Sequence, residues 1–302
     1  MMRDYTASAK TLSLGHIHKV KYLVSVHANA LHRNVTGWLS SEFMPAQSRA
    51  KFYGIDSNDD SLLRMLSMGS YHYFDYEFDK ILSSVLHNLF VAKKTYIEFA
   101  IDKDDTGTIK KVSIIPFDAI KLVSFRGTSL FLGKGFNNKL KLFTLSKRRY
   151  IQLESKAVFK GKRYIKKLTR KLKRMDKDRA TEYLSDIKMK QIYRYDLWSR
   201  KRDYLILKYP QKIGWYGINP SNPLLSESEL LYRSIKFKQF RKNALEYLLQ
   251  NINNGLKQIS DEIETTGRIV VTKPFIEYEK EWQRYIAGEI CASELSDIIL
   301  PI

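Results

Sequence analysis

Residues 94–117, KTYIEFAIDKDDTGTIKKVSIIPF, decide how the chain is read. In the first part, Tyr96, Glu98 and Ala100 alternate with Ile97, Phe99 and Ile101. Side chains of an extended strand point alternately to its two faces, so this stretch reads as a strand with one set on each side. DKDDTG is rich in Asp and closes on Gly107, the composition of a turn. TIKKVSIIPF then reads as the returning strand. Together they predict an antiparallel β-hairpin over 94–117.

Upstream of the hairpin the periodicity is helical. Val20, Leu23, Val24, Ala28, Leu31, Val35, Trp38 and Leu39 recur at threes and fours and predict a helix over 20–43. Residues 58–90 repeat the pattern in two pieces. Asp59 or Asp60 is placed to cap a helix carrying Leu62, Leu63 and Leu66, and Gly69 breaks it. A second helix is expected from Asp75, with Phe78, Ile81, Leu82, Val85, Leu86 and Leu89.

Downstream, short strands are expected at Leu122–Phe125, Ser129–Leu132 and Tyr150–Phe159. Residues 162–190 read as a basic helix, with Ile165, Leu168, Leu172 and Met175 as its apolar stripe. A second hairpin is expected over 190–209, turning at Arg200–Asp203. The Gly, Pro and Asn of GWYGINPSNPLL mark a loop. Ser226 with Glu229 has the spacing of a capping box, opening a long helix to about Ile252. A shorter helix, a strand at 268–272 and a last helix from Phe275 to Ile290 follow. The expected class is α+β: a helical N-terminal segment, antiparallel hairpins in a mixed wing-like domain, and long C-terminal helices. The division is placed at 1–215 and 216–302, beside the Gly/Pro loop.

Of 302 residues, 19 are Tyr and 15 Phe, enough aromatic surface for a real core. Cys291 is the single cysteine, so no disulfide framework and no Cys-based zinc site can form within the chain. No stretch approaches the ~20 apolar residues of a membrane helix, and the first residues lack a signal-peptide core. A cytoplasmic-type protein without membrane insertion is expected.

The net charge is +20, and it is concentrated. From Lys134 to Arg174 the chain holds sixteen Lys or Arg against the single acid Glu154. Such local surplus is the footprint of a polyanion contact. The residues expected to meet nucleic acid are Lys147, Arg148, Arg149, Lys162, Arg163, Lys166, Lys167, Arg170, Lys171, Lys173 and Arg174. Tyr150, Tyr164, Tyr193, Tyr195 and Trp198 are candidate base-stacking platforms, but core packing is the preferred reading.

Motifs of chemistry are thin. DKDDTGTIKKVS opens like a calcium loop, yet Ser113 stands where a bidentate Glu is needed and strands flank it, so a hairpin turn is preferred. His16 and His18 lack further ligands nearby in sequence. Gly133 and Gly135 lack the spacing of a phosphate loop, and Ser221 lacks the frame of a nucleophile elbow. Glu98 and Asp102 are the acids a metal-dependent nuclease would use, a minor alternative. No catalytic residue, metal or cofactor is assigned, and no enzymatic activity is expected.

The order of elements resembles the portal proteins of tailed bacteriophages. In that family a helical wing segment leads to a strand with a conspicuous Glu, a turn with Gly and a return strand with a proline. Ala92, Tyr96, Glu98, Gly107 and Pro116 occupy those places. The second matching stretch is YLILKYPQKIGWYGINPSNPL before the long helix, where Gly217, Asn219 and Pro220 fit, with Asn in place of the usual Ser. The resemblance covers about residues 20–255 and implies a virion structural subunit assembled in the host cytoplasm. It implies a homo-oligomeric ring, dodecameric in this family, passing double-stranded DNA during packaging and ejection. Capsid, terminase or tail-connector proteins would be its neighbours. The alternative without the resemblance is a basic, non-catalytic nucleic-acid-binding protein.

Overall fold

A computed structural model describes residues 52–57, 60–67, 71–91, 93–117, 119, 121–125, 127–134, 140–159, 167, 170, 171, 200, 204, 226–272 and 276–299. The expected helix at 20–43 and the loop at 210–225 lie outside them.

Strand β1 (Tyr53–Ser57) leads to helices α1 (Ser61–Ser67) and α2 (Tyr71–Val91). Helix α2 begins four residues before Asp75, the expected start. The Asp75 carboxylate accepts the Tyr53 backbone N–H at 2.8 Å and so ties α2 to β1. The hairpin forms as read: β2 (Lys94–Lys103) pairs antiparallel with β3 (Ile109–Phe117), Glu98 opposite Ile115. Asp104 holds its turn. One carboxylate oxygen accepts from the backbone N–H groups of Thr106 and Thr108, at 2.9 and 2.8 Å, and from the Thr106 hydroxyl. Gly107 takes φ +85°, a conformation only glycine reaches at no steric cost.

Strands β4 (Lys121–Phe125), β5 (Thr128–Lys134) and β6 (Leu140–Ser146) form an antiparallel meander. A single 3-10 turn at Lys147–Arg149 then leads into β7 (Tyr150–Glu154), which pairs with the other edge of β2. The expected strand to Phe159 is cut short, because Ser155–Val158 coil into the short helix α3. Arg200 and Tyr204 are both helical, which corrects the expected turn and return strand there.

Helix α4 (Glu227–Ile263) runs 37 residues, about 55 Å at about 1.5 Å per residue. The Ser226 hydroxyl caps it, accepting from Glu229 N–H at 3.3 Å. The Glu229 carboxylate accepts from Arg233 Nε at 2.7 Å. Strand β8 (Gly267–Val271) returns to pair with β1 over five residues. Helices α5 (Tyr278–Ile286) and α6 (Ala292–Ile299) replace the single expected last helix, and between them Gly288 takes φ +76°.

The central sheet β3-β2-β7 is covered on both sides. Ile97, Phe99, Val112, Ile114 and Leu153 face α2 and α4 in the main core, which also takes in Ile269 of β8. Tyr96, Ala100, Ile115 and Phe117 face the β4-β5-β6 sheet, meeting Phe131, Phe143 and Leu145. Tyr96, Phe117, Phe131 and Phe143 interlock, with ring centroids 5.1 to 5.5 Å apart. A third cluster joins Leu231 and Ile235 of α4 to Tyr278, Leu295 and Ile299. The fold is mixed α/β, with antiparallel hairpin sheets and long C-terminal helices.

Candidate nucleic-acid interface

The basic segment emerges where the two sheets join. Strands β6 and β7 are continuous apart from the Lys147–Arg149 turn, so the chain passes from one sheet to the other within three residues. Ser146 caps this turn, its hydroxyl accepting from Arg148 N–H at 3.4 Å, and Lys147 N–H donates to the Gly127 carbonyl at 2.9 Å. The backbone is thus fixed from two sides, and the side chains of Lys147 and Arg148 are exposed. Among the described residues neither meets a carboxylate.

Arg149 behaves differently. Its guanidinium reaches α4 and pairs with Glu262 through two contacts, Nε to Oε2 at 3.2 Å and Nη2 to Oε1. It is therefore a tie between the turn and α4, and its charge is matched within the chain. Lys156 likewise pairs with Glu154 at 2.8 Å. Lys167, Arg170 and Lys171 are helical and exposed, while the apolar stripe of the expected basic helix, Ile165, Leu168, Leu172 and Met175, lies outside the described residues. Lys162, Arg163, Lys166, Lys173 and Arg174 lie outside the described residues. Farther along the chain, cations are matched locally: Arg233 by Glu229, Lys236 by Glu279, Lys242 by Glu277, Arg268 by Asp56 and Arg284 by Glu281.

Tyr150 packs inside rather than presenting a ring to a base. Its hydroxyl lies 2.7 Å from that of Ser129, and its ring stands edge-on to Phe131 at 5.0 Å. The other aromatic candidates lie outside the described residues.

Glu98 and Asp102 do not form a metal pair. Glu98 is 5% exposed, inside the space between the two sheets, whereas Asp102 is exposed at the start of the turn. Among the described residues no three His, Cys, Asp or Glu side chains gather as a metal site. Burial pushes the Glu98 carboxyl up to about 7, against the attraction of Arg149. Its Oε2 has no hydrogen-bond partner among the described residues. Nothing in the sequence marked this glutamate as buried, because a strand alternation does not reveal whether a second sheet covers its polar-looking face.

Outside the charged region, the outer face of β4-β5-β6 is apolar and open. Val123 is 58%, Leu130 39% and Leu142 65% exposed. Val123 is paired with Leu130, and Leu142 with Leu132, across neighbouring strands, so they form one stripe. Among the described residues no helix is long and apolar enough to cross a membrane. No protein-family model matches the chain, and no curated protein matches it at a significant level.

Proposed function

We propose that the chain is a non-catalytic, DNA-contacting subunit of a ring of the phage-portal type. The observation that carries this reading is the set of Lys147, Arg148, Lys167 and Arg170, exposed and unmatched among the described residues, within the densest run of positive charge. Cations held on a surface without carboxylate partners repel one another until an external polyanion neutralises them, and a phosphate backbone is such a partner. The portal-like order of the helical segment, the hairpin with Glu98 and Gly107, and the long helix adds the ring to the DNA contact.

The open stripe of Val123, Leu130 and Leu142 favours assembly. A contiguous apolar sheet face is the kind of surface that a neighbouring subunit covers. In a cyclic ring each subunit offers two different surfaces, so the stripe would meet another region of the next copy.

Light scattering of the purified chain, with and without a short DNA duplex, tests the proposal. A particle of many subunits that binds duplex DNA is the expected result. A monomer at every concentration that still binds DNA would leave the alternative, a basic nucleic-acid-binding protein. A monomer without DNA affinity overturns both.

A further inference from the structure

The first half of α4 carries a second basic run. From Arg233 to Leu245 the chain holds five Lys or Arg and no acid. Leu231, Ile235, Lys238 and Lys242 follow one another at steps of four, three and four residues, so they lie along one stripe of the helix. The stripe begins apolar and ends cationic, and the C-terminal helices cover all of it. Leu231 and Ile235 pack against Tyr278, Leu295 and Ile299. The Lys238 ammonium donates to the Ile299 carbonyl, at the C-terminal end of α6, where the helix dipole is negative. Lys242 pairs with Glu277 at 2.6 Å, and beside the stripe Lys236 pairs with Glu279 at 2.5 Å. Lys238 and Lys242 are buried as a result.

The covering stretch, 276–299, is as acidic as the helix beneath it is basic, with six Asp or Glu against two Lys or Arg. A permanent interface between helices gains nothing from such pairs. Desolvating them is costly, and apolar residues of similar volume often stabilise as well or better. Lysine at two positions of a covered stripe is therefore suited to a surface that is also used uncovered. The cover has its own apolar cluster, distinct from the main core that α4 shares with the central sheet. It is thus built to part from α4 as a local unit, with the sheets left intact.

We propose that Lys236, Lys238 and Lys242 form a second contact for the phosphate backbone of a nucleic acid, held shut by the acidic helices α5 and α6. In the closed state Glu277, Glu279 and the end of α6 take the places of phosphates on the three ammonium groups. Lifting the cover presents these cations within about 9 Å along the helix axis. Cover and nucleic acid compete for the same groups, so each weakens the hold of the other. This face is separate from the surface of Lys147, Arg148, Lys167 and Arg170, and its test is run with that surface removed.

In a chain with those four residues replaced by Gln, Leu295→Asp puts a charge into the apolar cluster and releases the cover. Faster hydrogen exchange at 278–299, with slow exchange kept in β2, reports the release. The expected result is tighter binding of a DNA duplex and a salt dependence steeper by about 2–3. The gain should vanish when Lys236→Gln, Lys238→Gln and Lys242→Gln are added. A released cover with an unchanged slope overturns the proposal, as does a gain that survives the three lysine substitutions. A second measurement needs no variant. Saturating duplex should speed exchange of the 278–299 amides in the natural chain severalfold, and leave β2 unchanged. Equal rates at 278–299 with and without duplex also overturn the proposal.

Discussion

Gly255 sits in the middle of α4 because the central sheet comes too close for anything larger. A Cβ at this position would overlap the Phe99 ring and crowd Ile151. Glycine costs about 1 kcal/mol relative to alanine in a helix interior, so here contact with the sheet outweighs propensity. Gly255→Val should therefore destabilise the fold by about 1–3 kcal/mol through overpacking, seen as a lower thermal midpoint. Adding Phe99→Leu should recover part of the loss, and equal midpoints for the single and double variants would break the link. Glu98 supplies the second prediction at this scale. Its folded-state carboxyl titrates near 7, above the ordinary 4.5. The folded state therefore holds a proton that the unfolded state has released. Stability from this group is full below pH 4.5, declines as pH rises toward 7, and is level beyond. The shift corresponds to a loss on the order of 3 kcal/mol over that window. Urea unfolding should show the natural chain losing stability relative to Glu98→Gln as pH rises across that window. Parallel pH profiles would place the Glu98 titration in the ordinary carboxyl range.

Beside the apolar packing of Ile269, one polar side chain ties the long helix to the β1-β8 ribbon. Asn253 donates to the Ile269 carbonyl at 2.9 Å and accepts from the Ile269 N–H at 2.8 Å, so its amide clamps β8 like an extra strand. Asn253→Ala should cost about 1–3 kcal/mol, since it leaves two backbone groups without partners. Hydrogen exchange should then accelerate first at Ile269, ahead of the α4 amides. Uniform acceleration would show the clamp to be no local device. The same segment explains an error of sequence reading. The long helix is expected from the sequence to end at about Ile252, yet it runs on through Asn253, Asn254 and Gly255, residues common at helix ends, to Ile263. The roles of Asn253 and Gly255 depend on a strand and a ring distant in sequence. The 94–117 hairpin is legible because alternation and an Asp-rich turn closed by glycine are local signals, and the Ser226 cap is legible for the same reason. Strands β1 and β6 escape such a reading. The pairing of β1 with β8 spans more than two hundred residues, and in β6 the apolar Leu140, Leu142, Phe143 and Leu145 do not alternate cleanly. Of the candidate site, the charge is legible, whereas the capture of Arg149 by Glu262 is not, because that pairing needs the fold.

At the scale of the whole molecule, the question is whether excess charge is a solvated surface or a contact. The two readings differ in how binding responds to salt. A protein that neutralises phosphates releases counterions, and the logarithm of its affinity falls with the logarithm of salt concentration by about 0.9 for each phosphate on duplex DNA. Lys147, Arg148, Lys167 and Arg170 are exposed and unmatched among the described residues. Replacing all four by Gln should reduce the slope by about 3–4 per subunit, and weaken binding about equally on unrelated DNA sequences. Lys257 and Lys280 make the control, because they are exposed on α4 and α5 outside the basic run. The pair Lys257→Gln and Lys280→Gln changes net charge without touching the proposed surface, so its slope should match that of the natural chain. Fluorescence anisotropy on one duplex at four or five salt concentrations gives both slopes. If the two sets of substitutions lower the slope in proportion to the charge removed, DNA responds to the total charge of the molecule and the 147–171 surface has no special part. If only the first set lowers it, positive charge concentrated in sequence has become a surface where phosphates are held one by one.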